Sequence, residues 1–98
     1  MSWRVIVRSA ARAEMDQAHL WYAERSSQAA TKFTDVLEAG LAAIGRDPLR
    51  YPVIHNNMRR YNMPPFPYGL YYAVEAEDVV VLSCFHGRRD PAMWRRRR

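Results

Sequence analysis

The sequence predicts an α+β fold of order β-α-α-β-β-β: an antiparallel helical hairpin packed on a small, mostly antiparallel sheet, with a short C-terminal helix or tail. Three observations lead there. Residues 28–46 keep a continuous apolar face at i, i+3/i+4 spacing. Residues 68–85 hold two consecutive strand patterns joined by the polar connector Glu75-Ala76-Glu77-Asp78, too short for a crossover and suited to a hairpin. A hairpin this apolar cannot stand alone in water, so the two upstream helical segments must supply its cover.

At the start, Trp3, Val5 and Val7 alternate with Arg4 and Arg8, which gives a first strand with its apolar side chains on one face. Ser9 is placed to cap a helix over residues 10–24, whose stripe is Ala11, Met15, Ala18 and Trp21 or Tyr22. Arg25-Ser26-Ser27 breaks that pattern, and Ser27 is the expected cap of the second helix. There Ala29, Phe33, Val36, Leu37, Gly40, Leu41 and Ile44 face the core, opposite Lys32, Asp35 and Glu38. Gly40 on the apolar side points to a close neighbour. So short a link makes the two helices antiparallel. Asp47-Pro48 stops the second, because proline restricts the residue before it and cannot continue the ladder.

Residues 49–54 read as a loop held by Tyr51-Pro52, and residues 55–62 as a polar strand at the sheet edge. After Met63-Pro64-Pro65 comes the apolar hairpin, with Tyr68 and Tyr72 on one face of its first strand and Tyr71 on the other. The chain then changes abruptly to His86, Arg88 and Arg89. Asp90 is placed to cap a last short helix with Pro91 at its first position and Trp94 as its one large apolar residue. Residues 95–98 read as a frayed basic tail. No repeat or linker divides the chain, so residues 1–98 are expected to form one domain.

Apolar residues at 49% and charged residues at 26% suit an ordinary globular domain. The one cysteine, Cys84, excludes an internal disulfide framework and sits in an apolar strand, where a buried, inert thiol is expected. His86 follows two residues later, but this pair lacks a second Cys/His pair, and His19 and His55 have no motif spacing to it. No metal and no cofactor are expected. The chain shows no membrane-length apolar run and no signal-peptide core near its start, so a cytoplasmic location is expected. The net charge of +5 is carried by fourteen arginines against the single Lys32. That bias suits nucleic acid, an acidic protein, or both, and favours forked contacts with phosphate or carboxylate.

Several short pieces recur together along the chain. Ala13, Asp16, Trp21 and Tyr22 lie in the first helix. Ala29, Phe33 and Leu37 precede Ile44, the Asp47-Pro48 break and Tyr51-Pro52. Arg59-Arg60, Phe66-Pro67-Tyr68, Tyr71-Tyr72 and His86-Gly87-Arg88-Arg89-Asp90-Pro91 follow, with Trp94 after them. This combination resembles the RelE/ParE toxins of bacterial type II toxin–antitoxin systems. The resemblance runs from Trp3 to Trp94 and implies one of two activities. RelE-like members cut messenger RNA in the ribosomal A site. ParE-like members share the fold, are not enzymes, and trap DNA gyrase on cleaved DNA.

RNA cleavage requires a base, an acid and positive charge for the developing phosphorane. RelE-like toxins bring a lysine-rich patch, arginines on the sheet and a tyrosine or histidine near the C-terminus. Here no lysine follows Lys32, and Trp94 stands where a catalytic tyrosine would be sought. A nuclease would have to use His86 and Arg88 with Arg59 or Arg60, which point to opposite faces of a regular strand. The ParE-like branch is therefore favoured, without catalytic residues and with Arg88, Arg89 and Trp94 as candidate target contacts. Alternatively, Arg88-Arg89-Asp90 forms an internal arginine–carboxylate lock. The resemblance also implies a cognate antitoxin with an acidic, amphipathic segment laid over Trp21, Tyr22, Phe33, Leu37 and Arg60. Operator DNA would be met only through that antitoxin. A third reading is a harmless relative that serves as an antitoxin-binding co-repressor.

Overall fold

The computed structural model describes residues 3–87. Its elements are β1 (Arg4–Val7), α1 (Ser9–Ala23), α2 (Ser27–Arg46), a 3-10 turn (Pro48–Arg50), β2 (Val53–His55), β3 (Met58–Asn62), β4 (Tyr68–Glu75) and β5 (Asp78–His86). The five strands form one sheet in the order β1-β5-β4-β3-β2, with β1 parallel to β5 and every other pair antiparallel. This is the α+β arrangement expected from the sequence. The expected last helix, with Asp90, Pro91 and the 95–98 tail, lies outside the described residues.

Both helices cover one face of the sheet. Ala11, Met15 and Ala18 of α1 and Phe33 and Ile44 of α2 are buried against Leu70, Tyr72, Val79, Val81 and Cys84. Val5 and Val7 of β1, and Trp3 just before it, join the same cluster. The close approach expected at Gly40 is present: a Cβ there would lie 2.9 Å from Tyr61 Cε1 and 3.2 Å from Leu70 Cδ1. A second apolar cluster, Met58, Tyr71, Ala73, Val80, Leu82 and Phe85, occupies the opposite face.

Local details depart from the sequence expectations at three points. Arg8, not Ser9, holds the cap position of α1, and Ser9 is already helical. The strand's pairing extends that far, since the Arg8 N–H donates to the Val81 carbonyl at 3.0 Å, so the helix begins directly after it. Ser26, not Ser27, caps α2. Its extended backbone lets Oγ accept from the Ala29 N–H at 3.2 Å, the usual serine cap bond. Finally, the expected loop and single polar strand resolve into a 3-10 turn and the β2–β3 hairpin. Asn56 and Asn57, with φ of 42° and 64°, make its two-residue turn, and asparagine is among the few side chains that accept this left-handed region.

The central β4–β5 hairpin turns through Ala76-Glu77, pairs Glu75 with Asp78, and carries one irregularity. Tyr72 pairs with Val81 while Tyr71 pairs with Ser83, leaving Leu82 as an extra residue on β5. A bulge of this kind breaks strict alternation. Val79 and Val81 face the helices, yet beyond the bulge so does Cys84, while Phe85 joins Leu82 on the other side.

The segment between α2 and β3 is fastened by polar bonds. The buried Tyr72 hydroxyl donates to the Pro48 carbonyl at 2.6 Å, and Arg59 Nη1 donates to the carbonyls of Leu49 at 3.1 Å and Tyr51 at 2.6 Å. Tyr72→Phe removes only the first bond and leaves a buried acceptor without its donor. We expect a loss of about 1–3 kcal/mol of stability, read from the urea unfolding midpoint. An unchanged midpoint would show that this hydroxyl is not what holds the turn.

Candidate functional site

α1 crosses the end of β5 where β1 has already stopped. The last β1–β5 partners are Val7 and Val81, so β5 runs on without a neighbour on that side. Glu14 of α1 fills the place: its Oε1 accepts from the Cys84 backbone N–H at 3.0 Å. Glu14 escaped the sequence analysis, although a signal was present. It falls between Ala11 and Ala18 on the apolar stripe, three residues after one and four before the other, where a carboxylate needs a partner.

Beside this contact lies a groove of about 320 Å³, bordered by Glu14, Ala18, Trp21, Tyr68, Cys84 and His86. Trp21 is 48% exposed on its rim. The guanidinium of Arg25 sits 3.7 Å from the Trp21 ring centroid, and Arg25 Nη1 donates to the Trp21 carbonyl at 2.8 Å. The contact combines cation–π attraction with a hydrogen bond and holds the indole at the surface. Tyr22 points the other way, into an aromatic cluster. Its ring stacks on Phe33 at 5.4 Å and meets Phe66 edge-on at 4.9 Å. Burial pushes its phenol up from the ordinary range. His86 packs edge-on against Tyr68 at 5.4 Å.

The candidate residues therefore separate into three places. Trp21, Tyr22 and Leu37 lie on the helical side, backed by Phe33, which at 0% exposure has no surface of its own to offer. Arg59, opposite Tyr72, turns to the same side but is committed to two backbone carbonyls. Arg60, opposite Tyr71, lies on the far face of the sheet. His86 is level with Tyr68, four residues along β4 from the partner of Arg59, a separation of roughly 13 Å at the usual strand rise. Arg88, Arg89 and Trp94 lie outside the described residues. Among the described residues no three His, Cys, Asp or Glu side chains gather to hold a metal ion, and no helix is long and apolar enough to cross a membrane.

The family model of the ParE toxin of the type II toxin–antitoxin system parDE matches residues 5–91. A search of curated proteins gives no match. Among solved structures, the fold is similar to a chain from the chromosomal ParDE TA system of P. aeruginosa. The TM-score is 0.76 at 12% identity, over 87% of this chain and 96% of that one. Helical hairpin, five-stranded sheet and family match together define a small toxin domain of the RelE/ParE type. Within that class, the chain belongs to the ParE toxin family of type II toxin–antitoxin systems.

The groove has one directly measurable chemical property. Cys84 is 1% exposed, and burial, with the Glu14 carboxylate second, pushes its thiol up to about 12. A thiol raised in the folded state adds stability that is complete below its unfolded value and fades as pH rises through the folded one. Stability should therefore decline between pH 9 and about 12, and Cys84→Ala should flatten that decline. Thiol alkylation at pH 8 should be slow in the native protein and fast in urea. Rapid alkylation of the native chain would show that the strand end opens freely.

Proposed function

We propose that this ParE-family toxin arrests growth by binding DNA gyrase in the cytoplasm, with no chemical step of its own, and that a cognate antitoxin neutralises it. The observation that carries the non-catalytic reading is that the two described arginines a nuclease would use, Arg59 and Arg60, both stand apart from His86. Phosphorane stabilisation requires positive charge within hydrogen-bond reach of the phosphate oxygens, in the same site as the group moving the proton. Arg59 instead spends its guanidinium on the carbonyls of Leu49 and Tyr51, and Arg60 lies through the sheet from His86. His86, packed against Tyr68, acts as a wall of the groove.

A poison of this kind works by affinity, and its contact residues need positive charge and an apolar anchor. Arg88, Arg89 and Trp94 supply these directly after Gly87, whose N–H is held by the Pro67 carbonyl at 2.7 Å. The antitoxin is assigned the helical surface around Trp21, Tyr22 and Leu37, where an exposed indole offers the anchor that amphipathic segments use.

The deciding experiment is a gyrase supercoiling assay with purified, antitoxin-free protein, following relaxed and linear DNA. Loss of supercoiling with accumulation of cleaved DNA is expected, and the folded variants His86→Ala and Arg59→Ala should inhibit as the wild type does. Arg88→Ala together with Arg89→Ala should weaken inhibition at least tenfold. Unimpaired supercoiling at toxin excess, with messenger RNA ends mapping to the ribosomal A site during growth arrest, would replace this reading with the RelE-like nuclease. Harmless overproduction with tight antitoxin binding would replace it with the co-repressor.

A further inference from the structure

On the face of the sheet away from the helices, Arg60 differs from the other arginines of the strands. Arg4 pairs with Asp78 at 2.9 Å, and Arg59 is bound to two carbonyls. Arg60 is half-buried. Its backbone N–H donates to the Pro52 carbonyl at 3.2 Å, but its guanidinium makes no hydrogen bond or ion pair among the described residues, although its stem is held firmly. It lies across Gly69 on the neighbouring strand, where a Cβ would come within 3.3 Å of both Arg60 Cγ and Cδ. The glycine is thus the seat of the arginine.

The guanidinium opens into a groove of about 390 Å³ walled by Tyr71 and the proline-rich 64–67 loop, with the Asn62 amide beside it. No described carboxylate lines this groove. A held guanidinium with open donors, in a site with apolar walls and no counter-charge among the described residues, is complementary to one anionic group carried on an apolar body. A nucleic-acid backbone fits less well, since tracking it takes several cations and a polar channel.

We propose that this groove receives a single carboxylate side chain, Asp or Glu flanked by apolar residues, from the antitoxin segment. Arg60 grips the carboxylate through its fork, while the exposed prolines of the 64–67 loop hold the neighbouring apolar side chains. This inference rests on the antitoxin part of the proposed function and is independent of gyrase. It adds a second anchor to the exposed Trp21 on the other side of the molecule, so the bound segment must pass from the helical surface to the far face of the sheet.

The test is an NMR titration of the full-length, 15N-labelled chain with acetyl-Leu-Glu-Leu-amide, its Gln counterpart, and a thymidine hexanucleotide as the phosphate probe. The Glu peptide is expected to shift the Arg60 Nε–H and Gly69 amide signals, with the Gln peptide at least tenfold weaker, as loss of a charge-assisted fork implies. Arg60→Gln should abolish the response while the rest of the spectrum keeps its dispersion. Arg60→Lys, which retains charge without the fork, should respond weakly. Equal response to both peptides, response only to the hexanucleotide, or none to any probe would each overturn the proposal. The operon's own antitoxin separates the two levels of the argument. If it binds wild type and Arg60→Gln equally tightly, this assignment fails and the neutralisation reading stands. If it binds neither while the Glu peptide still titrates, the neutralisation reading is what fails.

Discussion

The extra residue in β5 governs which way the side chains at the groove end of that strand point. Strand side chains alternate strictly, so a one-residue offset reverses every face after it. Before Leu82, the odd-numbered residues Val79 and Val81 face the helices. After it, the even-numbered Cys84 does, and His86 borders the same groove. Phe85 is turned to the far side, where it meets Tyr71. A regular strand would have reversed these assignments and buried Phe85 under α1. The contact between Glu14 and the Cys84 amide belongs to the same arrangement, because it satisfies a backbone donor that β1 is too short to reach.

Four of the described arginines take separate tasks. One arginine clasps the sheet edge through Asp78, one supports a surface indole, one pins the turn before β2, and one stays open over a glycine. Arginine suits all four because its flat, permanently charged fork serves carboxylates, carbonyls and aromatic faces alike. Net charge describes long-range attraction, while the burial and partners of each guanidinium decide its use.

How much was legible in the sequence follows from the range of the signal. The α2 face repeats over most of twenty residues, and the β4–β5 hairpin combines period-2 alternation with a two-residue acidic turn, so both could be read directly. Ser9 and Ser26 show the opposite. Either serine of the Ser26-Ser27 pair has the chemistry of a cap, and only the backbone angle of Ser26 selects it. β2 has three residues and its apolar pair Val53-Ile54 follows a proline, too little to separate a strand from a loop. The bulge left no compositional trace, because Leu82, Ser83 and Cys84 are equally acceptable in either phase. The division between Arg59 and Arg60 was visible from alternation, but the partners that occupy Arg59 come from a turn eight to ten residues away, which no local pattern encodes.

The parallel pairing of β1 with β5 also bears on biosynthesis. Arg4 finds its side-chain partner 74 positions later, at Asp78, and its backbone N–H bonds to the Glu77 carbonyl. Nascent helices α1 and α2 can associate early, since helical hairpins depend on nearby contacts. The first strand has no ladder to join until β5 has been translated. Its edge amides and the apolar side chains of Trp3, Val5 and Val7 must wait until then, a period in which such strands are prone to wrong pairing. The arginines at positions 4 and 8 flank this waiting segment with like charge, and charged flanks of this kind discourage it from pairing with a copy of itself on a neighbouring polysome.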